Sequence, residues 1–225
     1  MNIGIIGCGW LGKPLAVHLR QRHQVTCFSR TDTPDVFWEN ELFIISISTK
    51  DNYLLSLQDF ISKISPSASI IFMSSTSVYK EFDEEVNEET FIHTKTLQKE
   101  AEELMQNNHG NLLILRLGGL MGEGRIAGKW KSVSSFTDSP VNYIHQEDIL
   151  HIVSKLIDKR VCKGIFNLVA PLHPLRSEVH KKNSQDFGFE LGSFEGLSQR
   201  VVNSDKLIKT LEYNFIHPDP LEFWT

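Results

Sequence analysis

Cysteine is scarce in this chain, and so is any long apolar run. The three cysteines, Cys8, Cys27 and Cys162, are far apart and odd in number. They form no CxxC pair or other metal-ligand spacing, so a disulfide framework is not expected and a reducing cytoplasm fits best. No uncharged apolar stretch approaches about 18 residues, which argues against a membrane span. The N-terminal apolar run meets Gly4 and Gly7 almost at once, with no basic segment before it, so it does not read as a secretion signal. Excess positive charge is missing too. With 23 Lys and Arg against 28 Asp and Glu, the formal charge is -5, and the basic residues are scattered. That excludes the basic stripe of a nucleic-acid protein. An acidic small-molecule ligand stays compatible, because backbone amides bind phosphate without net positive charge. The nine histidines give no HExxH. His145 lies near Asp148 and near His151, but no second-ligand cluster follows, so no metal is expected.

What is present is ordinary for a globular protein. The 225 residues are 40% hydrophobic and 23% charged, enough for one good core and a small appendage. Short apolar runs alternate with amphipathic helices, the pattern of a parallel sheet covered on both faces. Strands are expected at 2–6, 24–29, 42–47, 69–73, 112–117 and 165–169. Helices are expected after residue 11, at 53–64, 97–105 and 149–157, and at 207–211 with a cap near Ser204. Between Arg30 and Leu42 about eleven residues stand where a parallel crossover needs roughly a dozen or more. The third strand is therefore expected to be vestigial, at 36–38, or missing. The fold class is α/β, a Rossmann-type three-layer sandwich with a mostly parallel doubly wound sheet. Residues 1–170, with part of 200–225, are expected to form the dinucleotide-binding domain. Residues 171–200, with Pro171, Pro174, Gly188, Gly192 and Gly196 and little periodicity, are expected to form a reduced substrate-side lobe or lid.

Gly7-Cys8-Gly9-Trp10-Leu11-Gly12 is GxGxxG, placed between the first strand and the first helix, which is the context that motif requires. Gly7 makes the tight turn, Gly9 lets the backbone approach a pyrophosphate, and Gly12 lets helix and strand pack closely. The second strand ends in Ser29-Arg30-Thr31, with no acid until Asp32. Two hydroxyls and a guanidinium suit the 2′-phosphate of NADP, where an acid would select NAD. Ser46, Ser48 and Ser74, at or beyond later strand ends, complete the candidate cofactor contacts with Gly7, Gly9, Trp10, Leu11, Gly12, Ser29, Arg30 and Thr31.

These residues sit beside further segments: Phe72-Met73-Ser74-Ser75-Thr76-Ser77-Val78-Tyr79, Ile114 to Gly122 (ILRLGGLMG), Val141 to Asp148 (VNYIHQED), and Gly164-Ile165-Phe166-Asn167. With them the chain resembles the short-chain dehydrogenase/reductase superfamily in its extended, epimerase/dehydratase-like branch, along nearly its whole length. The resemblance implies a Ser or Thr that holds the substrate oxygen, matched by Ser75. It also implies a Tyr as acid/base and a Lys on the nicotinamide ribose, paired as YxxxK on the next helix. The matching stretch here is Phe91-Ile92-His93-Thr94-Lys95. Lys95 aligns with the family Lys, but Phe91 stands at the Tyr position and carries no proton. Such an acid/base group contributes about 10²- to 10⁴-fold in rate. Tyr79 is then the candidate for proton transfer, with His93 the other neighbour in sequence.

Three function classes stay open, the third being an interaction protein with an empty Rossmann cleft, which fails if cofactor copurifies; the other two bind a dinucleotide. One is an NADP-dependent oxidoreductase or epimerase-like enzyme acting on a small polyol, sugar or carbonyl compound. The other is a non-catalytic dinucleotide-binding sensor. Arg125 and Lys129, beyond a strand's carboxyl end, are positioned by that reading to meet an anionic group. The acidic run Asp83, Glu84, Glu85, Glu88 and Glu89 reads as a solvated loop that, at a pocket mouth, disfavours highly anionic substrates. Resemblance to extended members implies a homodimer through the helix at 95–106.

Overall fold

A computed structural model describes residues 1–29, 31, 33–50, 52–130 and 135–224. In chain order the elements begin β1 (Asn2–Ile6), α1 (Gly12–Leu19), β2 (Gln24–Cys27), β3 (Leu42–Ile45), α2 (Tyr53–Lys63), β4 (Ser69–Ser75), β5 (Glu85–Val86), α3 (Leu97–Asn108) and β6 (Leu112–Leu117). They continue with β7 (Gly119–Met121), β8 (Ser135–Asp138), β9 (Tyr143–His145), α4 (Gln146–Asp158), β10 (Gly164–Leu168), α5 (Arg176–Phe187), β11 (Ser193–Leu197), β12 (Val201–Val202) and α6 (Asp205–Leu211).

The main sheet has six strands in the order β10-β6-β4-β3-β1-β2. β1 pairs in parallel with β2 and β3, and β3 in parallel with β4. Every residue of β3 and of β6 is buried, as central strands covered on both faces require. This is the α/β doubly wound fold expected from the alternation of runs. α2 buries Tyr53, Leu57 and Phe60 along one stripe, at the spacing of an amphipathic helix.

Among the described residues no strand lies beyond β2, so the expected third strand is missing there. In its place residues Asp35–Glu39 form a 3₁₀ helix. That turn delivers Phe37 and Trp38 into an aromatic cluster. Phe37 and Trp38 stand 5.1 Å apart at 90°, and Phe28 meets Phe60 at 5.3 Å. A short segment thus covers with rings what a crossover helix covers in a longer chain.

The chain separates into two compact units. The first takes in Met1–Val78, Ile92–Arg116 and Val153–Phe166; the second takes in Tyr79–Phe91, Leu117–Ile152 and Asn167–Thr225. These boundaries differ from the 170 and 200 expected from the sequence. The first unit holds a core around Ile6, Phe43, Ile45, Leu57, Phe72 and Met105. The second is built from three two-stranded parallel pairs, β5 with β12, β7 with β9 and β8 with β11, and has a core around Met121, Val141, Tyr143 and Val179.

Three local expectations are corrected. Residues 176–187 form a helix although they show no apolar stripe. α5 buries Val179 with three polar residues, Ser177, His180 and Asn183, and polar burial leaves no hydrophobic period to read. The Ser204 hydroxyl does not cap α6; it accepts the Val169 N–H at 3.0 Å. The acidic run is not a merely solvated loop. Asp83 accepts the Gln199 N–H at 2.7 Å, Glu88 the Asn167 N–H at 2.7 Å, and Glu85 the Asn203 amide at 2.8 Å.

Candidate functional site

In the first unit the glycine turn sits at the carboxyl end of β1. Gly7 has φ +102°, and a Cβ there would fall 2.2 Å from the Ser46 carbonyl oxygen. A Cβ on Gly12 would fall 2.2 Å from the Gly7 carbonyl oxygen. Both positions exclude a side chain through the fold itself. Gly9 differs: a Cβ there would meet nothing within 4 Å. The backbone at Gly9 is therefore bare for a reason the packed protein does not supply, and an approaching ligand supplies one. The turn is closed by Gly9 N–H to Gly7 O at 2.8 Å and Lys13 N–H to Gly9 O at 3.0 Å. The leading N–H groups of α1 have no acceptor within the helix, and the helix dipole adds partial positive charge. Trp10 is half-buried and Leu11 buried beneath the turn. An open glycine face at a helix N-terminus fits the pyrophosphate of a dinucleotide.

The turn carries a feature that reading by spacing missed. Cys8 and Cys27 form a disulfide, with Cα atoms 6.0 Å apart. Nineteen residues separate them, but the parallel register sets Cys27 beside Ile5. Cys8, just past the end of β1, lands on the same edge of the sheet. The expectation of no disulfide is thereby overturned. Cys162 is free and exposed.

Past β2, Ser29, Thr31 and Thr33 tie together. The Ser29 N–H donates to the Thr33 hydroxyl at 2.6 Å, the Thr33 hydroxyl donates to the Ser29 carbonyl, and the Ser29 and Thr31 hydroxyls pair at 3.2 Å. Arg30 lies outside the described residues. Ser46 is half-buried and Ser48 exposed, both just past β3. Gly7, Ser29, Ser46, Ser48 and Ser75 thus all stand at the carboxyl ends of parallel strands, where open α/β sheets bind ligands.

The Ser74 hydroxyl points elsewhere. It donates to Glu102 Oε1 at 2.6 Å, and Glu102 pairs with Arg116 at 2.7 Å, with side-chain exposures of 0% and 3%. Its hydroxyl is spent on a buried ion pair, in place of the expected cofactor contact. Ser75 ends β4, and its hydroxyl pairs with that of Ser77 at 2.7 Å and accepts the Ser77 N–H at 3.1 Å.

The expected YxxxK helix is absent as such. α3 begins only at Leu97, where the Thr96 hydroxyl caps it by accepting the Lys99 N–H at 3.0 Å. Phe91 to Lys95 precede the helix, so the four-residue spacing does not stack their side chains on one helical face. Lys95 is exposed, and Phe91 is 74% exposed. In the second unit the Tyr79 ring is fully buried. Its hydroxyl shares one proton between Asn87 O at 2.9 Å and Asn167 Oδ1 at 3.1 Å. That geometry is a packing role, not the expected proton transfer.

The second unit has a cavity of about 750 Å³, within the range of small-molecule sites. Arg125, Lys129 and Arg176 line it with Trp130, Phe136 and Tyr143, and none of its described lining residues is acidic. Arg125 and Lys129 are the sequence-expected pair. Arg176, some fifty residues later, is brought to the same wall by α5, where its guanidinium also donates to Thr137 O at 2.8 Å. Behind the wall, the Tyr143 hydroxyl meets His180 Nε2 at 2.9 Å. Burial pushes Tyr143 up to about 12, partly offset by the Arg176 guanidinium. Burial holds His180 down to about 4. The Tyr143–His180 pair and Arg176 escaped sequence reasoning because they come together only through β9 and α5. No helix among the described residues is long and apolar enough to cross a membrane.

No family model matches the chain. Among curated proteins it is similar to Protein YeeZ of Escherichia coli (strain K12), 25% identical over 267 aligned positions that cover 98% of this chain and 97% of YeeZ. Among solved structures it is similar to human epimerase family protein SDR39U1 (isoform 2) with NADPH, at TM-score 0.75 and 14% identity over 98% of this chain and 96% of that one. It is equally similar to UDP-glucuronic acid 4-epimerase from Bacillus cereus in complex with NAD, at TM-score 0.75 and 14% identity over 99% and 94%. The fold is therefore the doubly wound, Rossmann-type α/β fold that these two structures share.

Proposed function

We propose that this protein is an NAD(P)-dependent oxidoreductase or epimerase-like enzyme acting on a small polyol, sugar or carbonyl compound that carries an anionic group. The observation that carries the reading is the bare face at Gly9, between two glycines that packing alone accounts for. Ser29, Arg30 and Thr31 favour NADP through the 2′-phosphate, since no carboxylate stands among them to receive a ribose hydroxyl. A nicotinamide, when bound, supplies hydride exchange. The chain's own part is to hold the pyrophosphate on the N–H groups after Gly7 and to orient an oxygen at the Ser75 hydroxyl. Within the second unit by itself, the cavity offers Arg125, Lys129 and Arg176 to an anionic ligand. Tyr143 is the tyrosine of that wall, and its bond to His180 lets it hold or pass a proton at its phenolic oxygen. The expectation that the acidic run disfavours anions applied to a pocket mouth, and none of the described lining residues of this cavity is acidic.

A second reading, a dinucleotide-binding sensor without turnover, is favoured by one specific observation. Phe91 has no proton to give, and the Tyr79 hydroxyl is committed inside the core. Titration of the purified protein with NADPH and NADH tests both readings, with Arg30→Ala as the control. Tight NADPH binding that weakens at least 10-fold in Arg30→Ala supports the NADP assignment. No binding of either nucleotide overturns both readings. Given binding, turnover of an acidic carbonyl compound that is lost in Tyr143→Phe without loss of NADPH affinity separates enzyme from sensor.

A further inference from the structure

The second unit holds a cluster that the proposed chemistry does not use. His145 ends β9, Glu147 stands in the first turn of α4, and His217 comes from the segment after α6. One ligand atom from each lies within 4.8 Å of the other two. His217 Nε2 is 2.9 Å from Glu147 Oε2, and the two imidazole centroids are 3.8 Å apart. Two imidazoles and one carboxylate are a donor set for a divalent transition ion.

The cluster is built rather than incidental. Asp148, fully buried, accepts the Ile216 N–H at 2.8 Å, the His217 N–H at 3.0 Å and the Tyr213 hydroxyl at 2.8 Å. These three bonds fasten residues 213–217 to the start of α4 and set where the His217 ring stands. The buried Phe223 ring closes the other side, 5.5 Å from the His145 ring and 6.2 Å from the His217 ring. Such backing of ligands by hydrogen-bonded and apolar neighbours is what orients donors in metal sites. Donor atoms around zinc at about 2.0–2.1 Å bond lengths stand roughly 3.3 Å apart in a tetrahedron. The pair at 2.9 Å is closer than that spacing and reaches it by opening about 0.4 Å. The third donor closes by a rotation that half-buried and exposed side chains can make. The buried Asp148 carboxylate adds negative charge behind the site without entering it.

We propose that His145, Glu147 and His217 bind one Zn²⁺-class ion, with the remaining position open to solvent, and that the ion clips the segment around residues 213–224 to the start of α4. Binding replaces the hydrogen bond between His217 and Glu147 with two metal bonds, and the neutral His217 imidazole then carries its proton on the other ring nitrogen. The imidazoles favour Zn²⁺, Co²⁺ or Ni²⁺ over Mg²⁺ and Ca²⁺, which take oxygen donors.

The test is titration of the full-length, chelator-stripped protein with ZnCl₂ against a chromophoric chelator, and with CoCl₂ read by visible absorption. One equivalent is expected to bind, with affinity at least 10-fold weaker in each of His145→Asn, Glu147→Gln and His217→Asn. Excess MgCl₂ should not displace it, and Zn²⁺ should raise the melting temperature of the wild type alone. Because the histidines pack against Phe223, circular dichroism first establishes that each variant is folded. Glu147→Gln, at an exposed carboxylate, decides the matter if the others misfold. Absence of one-to-one binding, or affinity unchanged in the folded variants, leaves an adventitious ion only and overturns the proposal.

Discussion

Gly9→Ala and Gly12→Ala separate cofactor binding from folding within one six-residue motif. At Gly12 a Cβ falls 2.2 Å from the Gly7 carbonyl oxygen, a backbone atom with no freedom to swing away. The turn must open, and overpacking of this kind costs about 1–3 kcal/mol or more. A chain of this size loses about 2–4 °C of melting temperature per kcal/mol, so Gly12→Ala should melt visibly lower. At Gly9 the added methyl meets nothing, and φ there is not positive. Replacing such a glycine stabilises by about 0.4–1 kcal/mol, because the unfolded chain loses freedom. Gly9→Ala should therefore melt at or slightly above the wild type. Its effect falls on the ligand. A methyl on the open face holds a pyrophosphate off the turn and removes about one charge-assisted hydrogen bond, roughly 1.5–3 kcal/mol. That corresponds to about a 10- to 100-fold loss of affinity. The assay is thermal melting in the absence of nucleotide beside fluorescence titration with NADPH. A Gly9→Ala protein that melts normally and binds NADPH as tightly as the wild type refutes the placement of the pyrophosphate on this turn.

Glu102→Ala removes the carboxylate that pairs with the buried Arg116 and should cost about 3–5 kcal/mol in urea denaturation; Glu102→Leu with Arg116→Met should recover most of it. The Cys8–Cys27 disulfide closes a 19-residue separation and is worth about 3 kcal/mol on the chain-entropy account. The unfolded, unreduced protein should show one thiol, from Cys162, and Cys27→Ser should lose that stability; three thiols without reductant would refute the pairing. His180 is held down to about 4 by burial, whereas the unfolded chain protonates it near 6.5. The unfolded state then binds more protons between those values, so stability falls as pH drops from 6.5 toward 4, by at most about 3 kcal/mol from this group. Denaturation at pH 7 and 4.5 should show a smaller loss in His180→Gln than in the wild type; equal losses would remove His180 from the account.

The parts of the protein legible in the sequence are those whose physics is local. The six main strands and the helices α1 to α4 followed from apolar period, and the missing edge strand followed from counting residues between Arg30 and Leu42. The glycine turn was legible because all its chemistry lies within residues 7–12. What escaped was set by neighbours distant in sequence. Cys8 and Cys27 look unrelated by spacing, yet a parallel register places them together. α5 escaped because it buries His180 and Asn183 in place of an apolar stripe. Ser74 reads as one serine of a motif, and only the fold turns its hydroxyl to Glu102.

The same distinction bears on catalysis. Phe91 in the YxxxK alignment was visible in the sequence as a missing proton. The start of α3 at Leu97 was legible too, from the apolar period of Leu97, Ala101, Leu104 and Met105, and it leaves Phe91 to Lys95 ahead of the helix. The missing proton and the late helix together remove the case for an acid/base on α3. A tyrosine there would gain a hydroxyl, but in a loop it would lack the helical stacking that sets it above its lysine. Restoring Tyr at position 91 is thus not expected to restore turnover. On the function proposed above, the proton carrier is then sought in the second unit's own cavity. There Tyr143 carries a hydroxyl bonded to a buried histidine, beside Arg176. That arrangement comes from β9 and α5, two elements whose partnership no local pattern announces. Whether this chain is an enzyme or a sensor therefore turns on residue 143, not on residue 91.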